Sequence, residues 1–265
     1  MTILDNIIEH KYLEVKLRSE QFPLHLIVER EYYSSPTRSL KNKLKAGPGI
    51  IAEFKRKSPS KGTIRSEADV VEITQSYGSA GAAACSILTD NDFFGGSALD
   101  ILMARPKIQI PILRKEFIID PYQIHEAKAL GADLILLIAE CLTKQQIKDF
   151  TTLAHDLGLE VLMELHFEEE LDKWYDQIDL IGVNNRNLKT FETGIAKSIE
   201  LAPLLPHESV WVSESGLKGS EEISALIKIG FKGFLIGETF MKAPDPGLLC
   251  QTFVQNLTFN STHAE

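Results

Sequence analysis

Cysteine and tryptophan are scarce in this chain of 265 residues, which contains three of the first and two of the second. Cys85, Cys141 and Cys250 lie far apart, and no Cys-x-x-Cys pair or histidine-rich spacing accompanies them. The sequence therefore indicates neither a disulfide-stapled scaffold nor a zinc site, because both need closely spaced ligands or partners. We expect reduced cysteines with structural roles.

Long apolar segments are also missing. No run approaches the roughly 20 residues that a membrane-spanning helix needs. Residues 1–20 carry too many charges for a signal peptide. We therefore expect a cytoplasmic protein that does not use a membrane.

Positive charge is in the minority, with 28 lysines and arginines against 37 aspartates and glutamates and a formal net charge of −9. This balance argues against a general nucleic-acid binder. One basic cluster stands out and consists of Lys55, Arg56, Lys57 and Lys61. Because the cluster is local, it indicates an anionic small molecule as the ligand.

From Gly49 onward, short apolar segments alternate with segments of helical periodicity. We predict eight strands at 50–55, 83–89, 112–115, 134–139, 160–165, 180–184, 210–213 and 233–236. We predict eight helices at 69–80, 98–105, 121–130, 144–157, 168–177, 195–204, 221–229 and 246–256. Eight consecutive βα units close most naturally into a single (β/α)8 TIM barrel, whose usual length is about 250 residues. A doubly wound α/β sheet usually has fewer strands.

The first 46 residues precede the predicted barrel, which we assign to residues 47–265. Apolar residues recur near helical spacing and predict an amphipathic helix that packs on the barrel; they are Ile3, Leu4, Ile7, Ile8, Tyr12 and Val15. A second short helix is predicted at 39–44. We expect this extension to cover one end of the barrel and to take no part in catalysis.

The carboxyl ends of the predicted strands are polar, and barrel enzymes place their active sites there. Strand side chains alternate between two faces, so Glu53 and Lys55 share one face while Phe54 and Arg56 share the other. Charged or amide groups recur at five strand ends, namely Glu53 and Lys55, Arg114-Lys115-Glu116, Glu164, Asn184-Asn185-Arg186, and Ser213-Glu214-Ser215-Gly216. Such groups also cap barrel ends by pairing with one another, but their recurrence favours an acid–base site.

Lys115 emerges directly from a buried strand. Burial and nearby cations would lower the pKa of its ammonium, and nearby carboxylates would raise that pKa. The sequence leaves the direction of the shift open.

Phosphate binding in this fold uses backbone amides of the loops after the seventh and eighth strands. Ser215-Gly216 and Ile236-Gly237 occupy those two loops. Ser58 and Ser60 would add hydroxyl donors from the first loop, with Lys61 as a nearby charge. Glu238 is expected to point away from this group.

Aromatic residues follow the second and third strands at Phe93, Phe94 and Phe117. We expect at least one of Phe94 and Phe117 to line a pocket for a ring. The histidines His125, His155 and His166 lack the spacing of metal ligands. We therefore predict no metal.

Seven motifs occur in order along the chain, and their arrangement resembles the indole-3-glycerol phosphate synthase family of tryptophan biosynthesis. The motifs are Ile51 to Gly62, Phe94-Gly95-Gly96-Ser97, Leu113 to Ile118, Met163-Glu164, Gly182 to Leu188, Val212 to Gly216, and Phe234 to Glu238. The resemblance covers Ile51 to Met241, and an N-terminal extension is typical of the family. Two positions depart from the pattern, since Glu116 and Asn187 stand where relatives often have aspartate.

The resemblance implies a substrate, 1-(2-carboxyphenylamino)-1-deoxyribulose 5-phosphate, and a reaction that closes the indole ring with loss of carbon dioxide and water. It implies no cofactor and no metal. A phosphorylated small molecule is the implied partner, and other enzymes of tryptophan biosynthesis are the protein partners to test. We expect no fused second barrel.

The resemblance also implies roles for single residues. Lys115 would be the general acid at the ribulose carbonyl oxygen, and Glu164 would be the general base. Lys55 would hold the substrate carboxylate and share the acid work, with Glu53 beside it. Two further catalytic residues would orient the substrate hydroxyls, namely Asn184 and Glu214. The residues implied in substrate binding are Arg186, Ser58, Ser60, Phe94, Phe117, Leu188, Ser215, Gly216, Ile236 and Gly237.

Three alternatives stay open at this point. A Schiff-base aldolase would use Lys115 as the nucleophile. A phosphoribosylanthranilate isomerase would use a cysteine and an aspartate, and Cys85 and Cys141 lie near strand ends, but the first strand offers a glutamate and a lysine instead. A non-enzymatic barrel would bind a phosphorylated ligand or a protein without turnover.

Overall fold

The computed structural model describes residues 2–186 and 192–261, with the side chains of 258–261 excepted. Eight parallel strands close into a barrel. We number them β1 to β8 in chain order, at Gly49–Phe54, Ala84–Leu88, Ile112–Lys115, Leu134–Ile138, Glu160–Leu165, Leu180–Asn184, Val210–Glu214 and Gly233–Ile236. Each strand pairs with the next, and β8 closes the barrel on β1, where Gly233 lies opposite Gly49. The predicted (β/α)8 barrel is confirmed.

Helices precede the barrel, connect its strands and follow the last one. We number them α1 to α11, at Ile3–Gln21, Leu24–Ile27, Leu40–Ala46, Val70–Ser79, Ala98–Ala104, Pro121–Leu130, Lys144–Asp156, Ala196–Leu201, Ser220–Lys228, Glu238–Met241 and Pro246–Ser261. Short 3-10 segments lie at Glu31–Ser34, Arg105–Lys107, Ala139–Cys141, Glu168–Lys173 and Ala202–Leu204.

One predicted helix is shorter than expected, and two short elements were not predicted. The helix predicted at 168–177 is only a 3-10 segment that ends at Lys173, because Trp174 is extended and packs against the core. The loop after β1 contains a small hairpin in which Lys57–Ser58 pairs with Gly62–Thr63. A short helix, α10, begins directly after Gly237. Each of these features is too short to produce a periodic apolar pattern.

Capping residues fix where the connecting helices begin and end. Asp120 accepts a hydrogen bond from the backbone N–H of Tyr122, and the Gln123 side chain bonds back to form a capping box. Pro121 then occupies the first helical position, where its missing N–H costs nothing. Gly131 ends α6 in the left-handed conformation, with φ of 91°.

The apolar core has two shells that follow from strand alternation. One shell lies between the strands and the surrounding helices, and the other lies inside the barrel. The inner shell consists of Ile51, Ala84, Leu113, Leu134, Leu136, Ile138, Leu162, Leu180, Val210, Val212 and Leu235, together with Leu40 and Leu44 of α3. These two leucines are fully buried, so α3 closes the lower end of the barrel.

Helix α1 packs along the barrel and reaches its upper end. Its buried residues are Leu4, Ile7, Lys11 and Val15, at helical spacing. The predicted apolar stripe was wrong at one position, because Tyr12 is 57% exposed and Lys11 is fully buried in its place. No helix among the described residues is both long and apolar enough to cross a membrane.

Candidate active site

A cavity of about 410 Å³ opens at the carboxyl ends of the strands. Its floor is apolar and includes Leu136, Ile138 and Leu235. Its walls carry the polar residues that the strand ends provide, which include Glu53, Lys55, Asp90, Lys115, Glu116, Glu164, His166, Asn184, Arg186, Glu214, Lys218 and Glu238. All six residues predicted to be catalytic line this one cavity.

Glu53 and Lys115 face the inside of the barrel because each lies two residues after an inward-facing apolar residue of the same strand. Ile51 and Glu53 share the inward face of β1, and Leu113 and Lys115 share that of β3. Gly237 makes room for Glu53, because a Cβ atom at residue 237 would lie 2.2 Å from Glu53 Oε1. The sequence thus changes from an apolar layer to a charged layer within two residues.

Lys115 lies at the centre of the charged layer. Its Nζ donates to Glu164 Oε2 at 2.9 Å and also to Glu214 Oε2. Asn184 Nδ2 donates to the other oxygen of Glu164 at 3.1 Å. Beside this group, Lys55 Nζ donates to Glu53 Oε1 at 2.6 Å. Four strands therefore contribute to one hydrogen-bonded set of acids and bases around Lys115.

The structure shows in which direction the pKa of Lys115 is shifted. Burial alone would lower the pKa of the ammonium, but the charges of Glu164, Glu214 and Glu53 outweigh it and raise the pKa above its ordinary value. Lys115 is therefore an ammonium in the free site and has no lone pair with which to attack a carbonyl carbon. This state favours an acid over a Schiff-base nucleophile.

The two carboxylates beside Lys115 differ in their pKa values. Burial disfavours ionisation of Glu164, but the charge of Lys115, the neighbouring His166 and hydrogen bonds from Lys115 and Asn184 lower its pKa to about 2. Burial together with the charge of Glu164 raises the pKa of Glu214 to about 8, despite the attraction of Lys115. The surroundings therefore favour the ionised form of Glu164 and the protonated form of Glu214, which suits a base beside a hydrogen-bond donor.

An aromatic wall faces the charged layer. The rings of Phe94 and Phe117 lie 5.9 Å apart between centroids, and both line the cavity. Phe93 packs instead against His10 of α1, with its ring edge-on. The expectation that at least one of Phe94 and Phe117 lines a pocket is met by both.

The predicted phosphate loops follow β7 and β8 and line the same cavity. Ser215 and Gly216 both have positive φ, at 67° and 76°, and both line the cavity with Ile236 and Gly237. A Cβ atom at residue 216 would lie 2.7 Å from the backbone nitrogen of Gly194, so only glycine fits there. Ser215 is not a glycine, and a positive φ is uncommon for such a residue. Positions of this kind concentrate at ligand sites.

Glu238 does not point away, contrary to the sequence-based expectation. It lines the cavity and accepts from Lys242 at 2.7 Å and from Arg186 at 3.4 Å, with Lys61 at 4.0 Å. Burial opposes its ionisation, but these cations lower the pKa of its carboxyl group. The rim thus gathers three cations around one carboxylate, and a bound anion would compete with that carboxylate for them.

Two predicted substrate contacts, Ser58 and Ser60, do not line the cavity. Ser58 is buried, with its hydroxyl 3.4 Å from that of Ser60. Ser60 accepts from Arg186 Nη1 at 2.9 Å and so contacts a cavity residue rather than the cavity. Leu188, like its neighbour Asn187, lies outside the described residues.

The basic cluster after β1 is divided between two sides of the loop. Lys55 and Lys61 line the cavity. Arg56 points outward, where it pairs with Asp100 and stacks on Phe54 at 4.7 Å. Lys57 donates to the carbonyl oxygen of Asp92 at 2.6 Å. Only half of the cluster can therefore meet an anion in the cavity.

His166 lines the cavity, although the sequence spacing was considered only for metal binding and gave it no place in the site. Its Nε2 lies 3.6 Å from Glu164 Oε1, its Nδ1 lies 3.8 Å from Glu140 Oε2, and the side chain is 5% exposed. Residue 166 follows Glu164 by two positions, so strand alternation could have indicated the shared face.

One group among the described residues has the composition of a metal site. Possible ligand atoms of Glu140, His166 and Glu170 lie within 4.8 Å of one another. The Glu170 carboxylate already accepts the backbone N–H groups of His166 and Phe167, at 2.6 and 3.1 Å. The group therefore has a structural explanation, and the absence of a metal stays a prediction.

The cysteines do not supply a catalytic pair. Cys85 is fully buried between the strands and the helices, and burial raises the pKa of its thiol. Burial, with nearby carboxylates, raises the pKa of Cys141 to about 12. Neither residue lines the cavity, which argues against the isomerase alternative.

A family model described as indole-3-glycerol phosphate synthase matches residues 4–253. A relative of that name from Bacteroides thetaiotaomicron is 50% identical over 254 residues, which are 96% of this chain and 98% of the relative. The chain belongs to the indole-3-glycerol phosphate synthase family. Another synthase, from Acinetobacter baumannii, is 43% identical over 248 residues, or 92% of each chain. One from Carboxydothermus hydrogenoformans is 47% identical over 210 residues, which are 78% of this chain and 80% of the relative.

Solved structures with the same fold are more distant in sequence. KGPDC from Streptococcus mutans superimposes with a TM-score of 0.61 at 12% identity, over 81% of this chain and 99% of that chain. A chain of the tryptophan synthase α2β2 complex from Pyrococcus furiosus gives a TM-score of 0.57 at 16% identity, over 80% and 99%. At these identities the likeness shows the barrel fold alone, so family membership rests on the closer synthase relatives.

Proposed function

We propose that this chain converts 1-(2-carboxyphenylamino)-1-deoxyribulose 5-phosphate into indole-3-glycerol phosphate, with loss of carbon dioxide and water, by the acid–base chemistry of Lys115 and Glu164. Membership of the synthase family supports the reaction. One observation carries the assignment of residues: the buried Lys115 side chain bonds to the carboxyl groups of both Glu164 and Glu214 inside the cavity.

The cavity suits a substrate with an aromatic end and a phosphate end. The carboxyphenyl ring binds against Phe94 and Phe117, and its carboxylate meets Lys55, with Arg186 supporting that end. The phosphate binds at the loops after β7 and β8, where Ser215, Gly216 and Gly237 line the cavity. Remote phosphate binding then supplies free energy that orients the reacting carbons.

Lys115 acts first, as a proton donor. The ring carbon that bears the carboxylate attacks the ribulose carbonyl carbon, and the carbonyl oxygen takes a proton from the ammonium as negative charge develops on it. The neighbouring carboxyl groups keep Lys115 protonated until that moment. The new carbon–carbon bond closes the five-membered ring and leaves a hydroxyl group on the former carbonyl carbon.

Loss of carbon dioxide returns an electron pair to the six-membered ring and restores its aromaticity. The carboxylate that leaves has been held by Lys55, which lies beside Glu53. A cation at this position stabilises the ground-state carboxylate, and low dielectric inside the barrel strengthens the contact.

Dehydration completes the indole. Glu164 takes a proton from the carbon next to nitrogen, and the hydroxyl group leaves as water after it accepts a proton from a lysine, with Lys55 sharing this work. The low pKa of Glu164 keeps it ionised, and Asn184 fixes its second oxygen. Glu214 bonds to Lys115 and orients a substrate hydroxyl.

We also propose features of the protein beyond the site. Residues 1–46 form an extension, and residues 47–265 form the catalytic barrel. The protein works in the cytoplasm without a metal or cofactor, and other enzymes of tryptophan biosynthesis are its candidate protein partners.

The test is indole fluorescence after the purified protein is mixed with the proposed substrate, beside a Lys115→Ala variant and without added metal. Turnover by the parent that is lost in the variant supports the proposal. A parent that binds the compound but gives no indole product would indicate a non-enzymatic barrel instead. Borohydride treatment with substrate tests the remaining alternative, since a covalent adduct on Lys115 would identify a Schiff base.

A further inference from the structure

A lysine from outside the barrel is buried beside the aromatic wall of the cavity. Lys11 of α1 is fully buried, and its Nζ contacts Glu14 at 2.6 Å, Asp90 at 2.9 Å and Glu116 at 3.0 Å. Asp90 follows β2, and Glu116 follows Lys115 at the end of β3. Both of these carboxylates line the cavity, so an ammonium from the extension joins two loops of the active site.

Each of the two carboxylates also holds the backbone next to an aromatic residue. Asp90 Oδ1 accepts the N–H groups of Phe93 and Phe94, at 2.8 and 3.2 Å. Glu116 Oε1 accepts the N–H group of Phe117 at 2.9 Å. The Phe94 and Phe117 rings form the aromatic wall. The Lys11 ammonium thus contacts both carboxylates, those of Asp90 and Glu116, that accept the backbone N–H groups of this wall.

We propose that Lys11 is a positioning residue, which fixes the Phe94–Phe117 wall for the substrate ring by holding Asp90 and Glu116 together. The inference rests on the proposed function, because that function supplies the ring. It assigns the N-terminal extension a part in recognition of the substrate, where the sequence suggested only a cover for the barrel.

Electrostatics explains why two carboxylates can share this buried place. Asp90 and Glu116 are 1% exposed each, and without a cation they would repel one another in low dielectric. Burial would raise the pKa of Glu116, but Lys11 and Arg114 lower it, and Thr89 donates to its other oxygen at 2.7 Å. Loss of Lys11 removes charge from both acceptors at once, so the two loops should lose their common support.

Helix α1 has other attachments that should keep it in place without Lys11. Leu4, Ile7 and Val15 are buried against the barrel, and Arg18 pairs with Glu126 at 3.1 Å. A Lys11→Met variant should therefore fold with α1 docked, and its effect on the site can be measured separately. Lys16→Met is the matched control, because Lys16 is exposed on the same helix.

The experiment measures the dissociation constants of two probes by calorimetry. One probe is the substrate with its carbonyl reduced to an alcohol, which keeps the ring and cannot react; the other is inorganic phosphate. For Lys11→Met we expect about 10-fold weaker binding of the reduced substrate, with phosphate binding within about twofold of the parent. Lys16→Met should match the parent for both probes. Unchanged binding of the reduced substrate in Lys11→Met, or an equal loss for both probes, would overturn the proposal.

A double variant separates positioning from simple anchoring of the helix. In Lys11→Met with Glu116→Gln, one of the two repelling charges is gone, and the glutamine oxygen can still accept the Phe117 N–H. We expect binding of the reduced substrate to recover to within about threefold of the Glu116→Gln single variant. No recovery would mean that Lys11 only anchors α1.

Hydrogen exchange gives a readout that does not depend on the proposed reaction. The amides of Phe93, Phe94 and Phe117 should exchange faster in Lys11→Met than in the parent. Unchanged protection there would overturn the positioning role. If exchange is faster in Lys11→Met but the parent makes no indole product, the proposed function is overturned and the positioning role stands.

Discussion

The lower and upper halves of the barrel interior have the same backbone and opposite chemistry. Below, leucines, isoleucines and valines from the strands meet Leu40 and Leu44 of α3 in a sealed apolar layer. Above, two residues further along the strands, Lys115 lies between Glu164 and Glu214 in an open cavity. Apolar packing alone stabilises the lower half, whereas the upper half holds charged groups whose burial costs free energy.

The difference shows where the fold gains stability and where it gives stability up. Close packing below contributes to the free energy of folding through buried apolar area. The raised pKa of Glu214 shows that burial and the charge of Glu164 penalise its ionisation, whereas the lowered pKa of Glu164 shows that Lys115, His166 and Asn184 stabilise that carboxylate. Groups tuned in this way are characteristic of catalytic sites. Substitutions in the two halves should therefore affect different quantities.

The largest expected effect is on turnover, from Lys115→Met. Removal of the ammonium takes away the proposed acid, and we expect kcat to fall by about 10³-fold or more. Steady-state fluorescence of the indole product measures the loss. The exposed Lys144→Met on α7 is the control and should match the parent. A Lys115→Met enzyme that retains a tenth of the parent's activity would exclude this residue as the principal acid.

Glu164→Gln should lower kcat by about 10²-fold, because an amide cannot take the proton that dehydration releases. Inorganic phosphate should bind this variant as it binds the parent, since residue 164 lies away from the phosphate loops. Titration calorimetry with phosphate and steady-state kinetics separate the two effects. Equal losses in affinity and kcat would contradict the division between a reacting end and a binding end.

Leu44→Ala tests the lower half. The leucine is fully buried at the closed end of the barrel, so its truncation should lower the free energy of unfolding by about 2–5 kcal/mol. The value of kcat, measured well below the unfolding transition, should stay within about threefold of the parent. Denaturant unfolding and kinetics on the same preparation give both numbers. A large loss of kcat without destabilisation would mean that the two halves are coupled more closely than packing requires.

Glu214→Gln tests the penalty on ionisation in the upper layer through pH. The carboxyl group has a pKa of about 8 in the folded protein, against an ordinary value of 4.5. Its contribution to stability is therefore complete below pH 4.5 and is lost as the pH rises towards 8, because the unfolded chain releases this proton first. Glutamine cannot ionise, so the variant should gain on the order of 5 °C over the parent between pH 5 and pH 8.

Thermal unfolding at several pH values measures this difference. The exposed Glu208→Gln serves as the matched control and should follow the parent. Parallel pH profiles for the parent and Glu214→Gln would contradict the raised pKa.

The smallest effect is expected at Ser215. Its positive φ means that Ser215→Ala loses the hydroxyl but keeps the strain, whereas Ser215→Gly loses the hydroxyl and relieves the strain. We expect KM to rise several-fold in both variants and kcat to change by less than about threefold. Ser215→Gly should unfold at a higher temperature than Ser215→Ala, because glycine adopts a positive φ without strain. A loss confined to kcat would place Ser215 with the reacting groups instead.

Much of this architecture could be predicted because strand chemistry is local. The period of two on β1, β3, β5 and β7 marks which side chains face inward, and the final inward position is where Glu53, Lys115, Glu164 and Glu214 occur. The phosphate loops were recognisable for the same reason, since Ser215-Gly216 and Gly237 directly follow strands. Whether these residues have the proposed roles stays a prediction.

The remaining features depend on contacts between distant parts of the chain. Lys11 is a lysine in an apolar stripe, and only the arrival of Asp90 and Glu116 explains its burial. Glu238 lines the cavity because Arg186, Lys61 and Lys242 converge on it. The outward turn of Arg56 depends on Asp100, which lies 44 positions away in sequence. Local pattern cannot reveal such partners.

The seal formed by Leu40 and Leu44 has a consequence for the order in which the molecule is made. These residues leave the ribosome before any barrel strand, yet the space that they fill is complete only when Gly233–Ile236 pairs with Gly49–Phe54. Almost the whole barrel must therefore be synthesised before its first apolar segment finds its final place. Such long-range closure is slow. Until it occurs, the leucines of α3 are an exposed apolar surface on the nascent chain, to which chaperones could bind.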